Sequence, residues 1–209
     1  MNKASIYLIT DRQLFKTDLG LYSALQEALK AGVRMIQLRE KGLKDRPLLE
    51  MAYRLRELTA QYGASLFIND RADIALCVGA DGVHLGQSSM PASAIRPILK
   101  ANMKIGVSTH SLAEALLAEQ EGADFITLGP IYETPSKKAY GPPLGIDTLK
   151  EVTKRIGLPV FAIGGIKTHN AEAVIEAGAK GFALISGILT EPDVYGTTKR
   201  FLQILGESR

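Results

Sequence analysis

The stretch Ser5-Ile6-Tyr7-Leu8-Ile9-Thr10-Asp11-Arg12-Gln13-Leu14 separates the two architectures open to this chain. Its first half is apolar, β-branched and aromatic, the composition of a strand buried on both faces. A polar turn without glycine follows. An open doubly wound sheet usually carries a glycine-rich turn after its first strand, where the backbone approaches a pyrophosphate. The turn at Thr10–Leu14 lacks that marker and favours a closed β/α barrel.

Working outward, the same kind of apolar run recurs along the chain. Strands are expected at Ser5–Thr10, Val33–Leu38, Ser65–Ile68, Gly82–Leu85, Lys104–Val107, Phe125–Leu128, Val160–Ile163 and Gly181–Ile185. Amphipathic stretches separate them at Leu21–Ala31, Leu48–Tyr62, Ala72–Val78, Ala92–Leu99, Leu112–Glu121, Ile146–Ile156, Asn170–Ala177 and Tyr195–Leu205. Strict alternation implies a parallel sheet. The expected fold is therefore α/β, a (β/α)8 TIM barrel in which residues 1–209 form a single domain. Four short segments, Ala31-Gly32-Val33, Val78-Gly79-Ala80, Glu121-Gly122-Ala123 and Ala177-Gly178-Ala179, each end a helix before an even-numbered strand. Glycine takes the left-handed conformation of a helix stop most cheaply, and its regular placement suggests repeated modules.

Composition narrows the function. With 46% hydrophobic and 22% charged residues the chain is globular. A net charge of +3, with no basic cluster interleaved with aromatics, points away from nucleic acid. No run reaches the length of a membrane span and the N-terminus lacks a signal peptide's apolar stretch, so a cytoplasmic protein is expected. Such barrels often dimerise, which makes a homo-oligomer one expectation. The single cysteine, Cys77, lies in the apolar run Ile74–Val78 and reads as a buried structural thiol.

In a β/α barrel the chemistry sits at the C-terminal ends of the strands. Strand two ends in Gln37-Leu38-Arg39-Glu40-Lys41, where alternation puts Gln37 and Arg39 on the same side and a guanidinium fork beside a lysine suits phosphate. Strand three ends in Asn69-Asp70-Arg71, and Asp70 reads either as a Mg2+ ligand or as a helix N-cap. His84, in strand four, reads as a structural histidine or a catalytic base. After strand five, Ser108 and Thr109 offer hydroxyls, Ser111 suits a helix cap, and His110 is a loop residue or a ligand contact. The loop from Glu133 to Gly145, with Thr134, Ser136, Lys137 and Lys138, is long enough to act as a flap over an anion. Strands seven and eight end in Ile163-Gly164-Gly165-Ile166 and Ile185-Ser186-Gly187-Ile188. Glycines there let backbone N–H groups approach phosphate oxygens. Two anion seats follow, a backbone seat at strands seven and eight and a cationic one at Arg39, Lys41 and Lys137.

The segments Tyr7–Asp11, Gln37–Lys41, Asn69–Arg71, Asp81–Gln87, Gly106–Ser111, Gly129–Lys137, Ala162–Ile166 and Ile185–Ser186 resemble, in order and almost end to end, those of the thiamine phosphate synthase family and its close relative, the thiazole tautomerases. The resemblance implies the same barrel. It implies a transferase of thiamine biosynthesis that joins a pyrimidinylmethyl diphosphate to a thiazole phosphate and releases diphosphate, through a pyrimidine-stabilised cation, with Mg2+ assisting departure. Carried over, Gln37, Arg39, Glu40, Lys41, Asn69, Ser108 and Lys137 would bind the pyrimidine diphosphate. Thr134, Ser136, Gly165, Ile185 and Ser186 would bind the thiazole phosphate, and Asp70 the Mg2+. The family commonly carries a second carboxylate two residues after Gln87, where this chain has Ser89. Two other readings stand beside the synthase. One is a tautomerase, whose histidine after strand six corresponds to Pro130 here. The other is a non-catalytic protein that binds thiazole or thiamine phosphate.

Overall fold

Eight short parallel strands close on one another in chain order. They are β1 (Ser5–Ile9), β2 (Met35–Leu38), β3 (Ser65–Asn69), β4 (Gly82–Leu85), β5 (Lys104–Thr109), β6 (Phe125–Leu128), β7 (Val160–Ile163) and β8 (Gly181–Leu184). β1 pairs with both β2 and β8, which shuts the barrel. This computed structural model describes residues 5–134 and 142–206. Around the sheet run α1 (Asp18–Ala31), α2 (Asp45–Gln61), α3 (Ala72–Cys77), α4 (Ala92–Ile95), α5 (Leu112–Gln120), α6 (Gly145–Arg155), α7 (Ala171–Glu176), α8 (Ser186–Leu189) and α9 (Val194–Ile204). Among the described residues no helix is long and apolar enough to cross a membrane.

Two cores hold this arrangement. The larger lies between the strands' outer faces and the helices. The smaller fills the barrel, where Tyr7, Phe67, Phe125 and Phe161 meet edge to face at centroid distances of 5.3–5.6 Å, a geometry that aligns positive ring edges with negative faces. Two strand glycines make room for this plug. A Cβ on Gly82 would lie 2.6 Å from the Phe67 ring, and one on Gly106 would lie 2.3 Å from that of Phe125. Both substitutions are excluded without repacking.

The repeated helix-stop glycines have a physical basis. Gly32, Gly79, Gly122 and Gly178 all have positive φ. After two of them the chain repeats Gly-Ala-Asp, and the aspartates act alike. Asp81 accepts from the Leu66 backbone N–H at 2.8 Å and from Arg56 at 2.6 Å. Asp124 accepts from the Ile105 N–H at 2.8 Å and from Arg96 at 2.5 Å. Each carboxylate thus fastens the start of an even strand to the preceding odd strand and to a helix, at the N-terminal end of the strands.

Three expectations change. Cys77 is exposed, because Ile74–Val78 is helical and the 3.6-residue period turns Ile74, Ala75 and Val78 inward and Cys77 outward. The stretch Ala92–Leu99 divides into α4 and a 3-10 turn, Arg96–Ile98, around Pro97, which has no N–H to extend an α-helix. A four-residue helix, α8, follows β8 directly.

Candidate active site

Side chains alternate along each strand, so every strand end sends one residue into the barrel mouth. From β2 to β6 those residues are Gln37, Asn69, His84, Ser108 and Thr127, of which Asn69 is in register with His84 and Ser108 with Thr127. From β7 through β8 to β1 they are Ile163, Ile185 and Ile9, which pack on the inner core. The floor of the mouth is therefore a polar arc facing an apolar one.

A buried hydrogen-bond string ties the polar arc together. Gln37 is 1% exposed and its Nε2 donates to the Tyr7 hydroxyl at 3.0 Å. That hydroxyl lies 3.3 Å from His84 Nδ1, and His84 Nε2 lies 2.9 Å from Ser108 Oγ. Thr127 Oγ1 reaches both Ser108 Oγ and His84 Nε2 at 3.5 Å. Enclosure pushes the His84 imidazole down to about 3; Asp70 pulls it upward and Arg39 adds to the fall. His84 is thus a neutral, satisfied histidine. Burial likewise raises the Tyr7 phenol well above its ordinary value, with the Gln37 bond acting the other way.

The cationic loop after β2 is braced from β1. Thr10 accepts from the Arg39 backbone N–H at 3.0 Å. Glu40, buried, accepts from the Arg12 backbone N–H at 3.1 and 3.2 Å. Burial raises the Glu40 carboxyl, while the Thr10 hydroxyl and the Arg12 N–H draw it down. Lys41 projects into solvent.

Asp70 is the one non-glycine described residue with positive φ, at 60°. This turns it out of line after β3, held by its N–H donating to the His84 carbonyl at 2.9 Å. Asn69 donates to Asp70 Oδ2 at 2.8 Å, and the Ser89 hydroxyl donates to Oδ1. The Ser89 oxygen in turn accepts from the Gly86 N–H at 2.7 Å. The N-cap position of α3 belongs to Arg71, without a side-chain cap bond, so the capping role considered for Asp70 is not realised. Ser111 does cap α5, accepting from the Glu114 N–H. His110 turns to Glu114, with Nδ1 at 3.0 Å from its carboxylate.

On the opposite rim, Gly165 has φ 67°, and a Cβ there would sit 2.5 Å from the Glu133 carbonyl oxygen. The strand-seven glycines are thus required by the chain that crosses from β6. Ile185 and Ser186 open α8, whose first N–H groups have no partner within so short a helix. Thr134 stands at the start of the flap. Ser136 and Lys137 fall outside the described residues.

A profile described as thiamine monophosphate synthase matches residues 6–188. The chain belongs to the thiamine monophosphate synthase family. A thiamine-phosphate synthase of Clostridium novyi is 42% identical over 199 residues, 95% of this chain and 97% of that protein. A Geobacter sulfurreducens protein given the same name provisionally is 52% identical over 202 residues, 96% of this chain and 94% of that protein. The solved thiamine phosphate pyrophosphorylase of Pyrococcus furiosus is 38% identical with a TM-score of 0.88, covering 99% of this chain and 97% of that one.

Within this thiamine monophosphate synthase barrel, Gln37, Asn69 and Ser108 line one arc, Asp70 meets Ser89, and Gly165 and Ser186 lie on the facing rim. Tyr7, Thr10 and Thr127 were not singled out from sequence. Tyr7 sits in an apolar run and reads as core. Its phenol is the available signal, because a buried hydroxyl needs a partner.

Proposed function

We propose that this barrel is a thiamine phosphate synthase, condensing 4-amino-2-methyl-5-pyrimidinylmethyl diphosphate with thiazole phosphate to give thiamine phosphate and diphosphate. The observation that carries this is the divided mouth: a polar arc beside Arg39, Lys41 and Asp70, opposite a glycine-lined rim. Family membership supports the same activity. We assign the pyrimidine diphosphate to Gln37, Arg39, Lys41, Asn69, Ser108 and Lys137. Glu40 contributes by bracing the loop through Arg12, since a carboxylate in direct contact would repel a diphosphate. Thr134, Ser136, Gly165, Ile185 and Ser186 take the thiazole phosphate.

In this assignment the C–O bond to diphosphate breaks and its electron pair leaves with the leaving group. Arg39 and Lys41 stabilise the charge that accumulates there. The ring nitrogen of the thiazole then gives its lone pair to the pyrimidinylmethyl carbon. The two seats hold these atoms in attack geometry, which removes the entropic part of the barrier. The apolar arc of Ile9, Ile163 and Ile185 suits the flat faces of the rings and excludes water from the cation.

Asp70 and Ser89 fit Mg2+, which takes one or two carboxylates and completes its shell with water and substrate phosphate. Among the described residues no group of three acidic, histidine or cysteine side chains surrounds that point, so water and the diphosphate would complete the shell. When bound, Mg2+ would neutralise negative charge on the departing group. A cytoplasmic location goes with this biosynthetic role.

Incubation of purified protein with both substrates and Mg2+, followed by chromatography, tests the assignment. Thiamine phosphate above the uncatalysed rate is expected. Its absence, with double-bond migration in a thiazole carboxylate phosphate instead, would make the protein a tautomerase.

A further inference from the structure

Tyr7 and His84 are buried polar groups to which the reaction above gives no part. Both are enclosed, at 0% and 2% exposure, yet they stand between Gln37 and Ser108 at the mouth. We propose that Tyr7 and His84 are positioning residues forming a one-way hydrogen-bond relay, Gln37 to Tyr7 to His84 to Ser108. The relay leaves the Ser108 hydroxyl as a donor, and the Gln37 carbonyl oxygen as an acceptor, facing the substrate.

The direction follows from its first member. An amide nitrogen only donates, so the Tyr7 oxygen accepts from Gln37 Nε2. The phenol has one proton, and its other polar neighbour is His84 Nδ1. A buried phenol leaves no proton unused at such a distance, so it donates to Nδ1, which must be bare. A neutral imidazole then carries its single proton on Nε2 and gives it to Ser108 Oγ. Thr127 Oγ1 also donates toward that oxygen. With its lone pairs occupied, Ser108 can only direct its own proton outward. A reversed relay would flip the Gln37 amide, make Ser108 donate to His84, and show a diphosphate lone pairs instead of a proton. That last step rests on the assignment of the diphosphate to this arc; the tautomer does not.

Histidine nitrogen chemical shifts in the uniformly labelled full chain, without substrate, test the relay directly. The chain has three histidines, and the His84 signals are those lost in His84→Gln. The expected result is a single Nε2–H tautomer in the parent chain. In Tyr7→Phe, which keeps the ring and removes the hydroxyl, the tautomers should mix. An Nδ1–H tautomer in the parent chain, or an unchanged tautomer in Tyr7→Phe, would overturn the relay. A kinetic arm tests its use. His84→Leu should lower kcat, and His84→Gln, whose amide can still donate toward Ser108, should recover about tenfold of that loss. Equal losses in the two variants would reduce His84 to packing and remove its positioning role. A parent chain that makes no thiamine phosphate would instead sink the proposed activity, and the tautomer result would stand by itself.

Discussion

The Ser89 hydroxyl donates to Asp70 at the edge of the mouth, with the Gly86 N–H fixing the serine. A hydroxyl adds a neutral ligand where a carboxylate would add charge, and charge count is what tunes affinity for hard cations. Ser89→Asp is expected to lower the Mg2+ concentration for half-maximal activity roughly tenfold. An unchanged Mg2+ titration would separate Ser89 from the metal. Arg39 lies on the loop braced by Thr10 and serves only one seat in the proposed assignment. Arg39→Ala should slow the chemical step by roughly a hundredfold, as loss of a preorganised charge donor does, and leave thiazole phosphate affinity unchanged by calorimetry. Equal damage to both ligands would mean that the two seats are one.

Strand ends were the legible part of the site. Gln37, Asn69, His84 and Ser108 each interrupt an apolar period at the place where a barrel strand meets solvent, and that interruption is visible in one dimension. The Tyr7 hydroxyl was not, because its partners come from β2 and β4 and its own run is apolar. The bracing of Glu40 by Arg12 and Thr10 is equally tertiary. Among the helices, those with several turns show their period, whereas α8 spans four residues and has no period to show. Cys77 has only apolar neighbours in sequence, which suggests burial, but on the helix read over Ala72–Val78 the 3.6-residue period puts it on the face opposite Ile74, Ala75 and Val78. The glycines inside β4 and β5 carry a further element-scale consequence. Gly106→Ala forces a methyl against the Phe125 ring and His84 Nδ1, 2.6 Å away. Overpacking of this kind costs about 1–3 kcal/mol, and the midpoint of denaturant unfolding should fall accordingly. Because the same methyl pushes on His84, activity should fall more than stability alone predicts.

At the scale of the whole barrel, stability and chemistry occupy opposite ends. Asp124 belongs to the stability end. Burial alone would raise its carboxyl, but Arg96, the Ile105 N–H and Lys104 together hold it below the ordinary value of 3.8. A carboxyl lowered in the folded state contributes stability that is complete above the unfolded value and disappears as pH falls through the folded one. Asp124→Asn should therefore cost on the order of 1–3 kcal/mol at neutral pH, and should flatten the fall in unfolding midpoint on acidification. A variant with the parent's acid slope would assign that slope to other carboxylates. The closure of β1 against β8 has a consequence for how the chain is made. On the ribosome β1 emerges first, and one of its edges stays open until Gly181–Leu184 has been synthesised. A nascent chain that has paired its first strands but lacks β8 has two unpaired sheet edges, the form most prone to stick to another. Translation arrested before residue 181 should therefore leave no smaller barrel behind, only fragments that need a chaperone or precipitate.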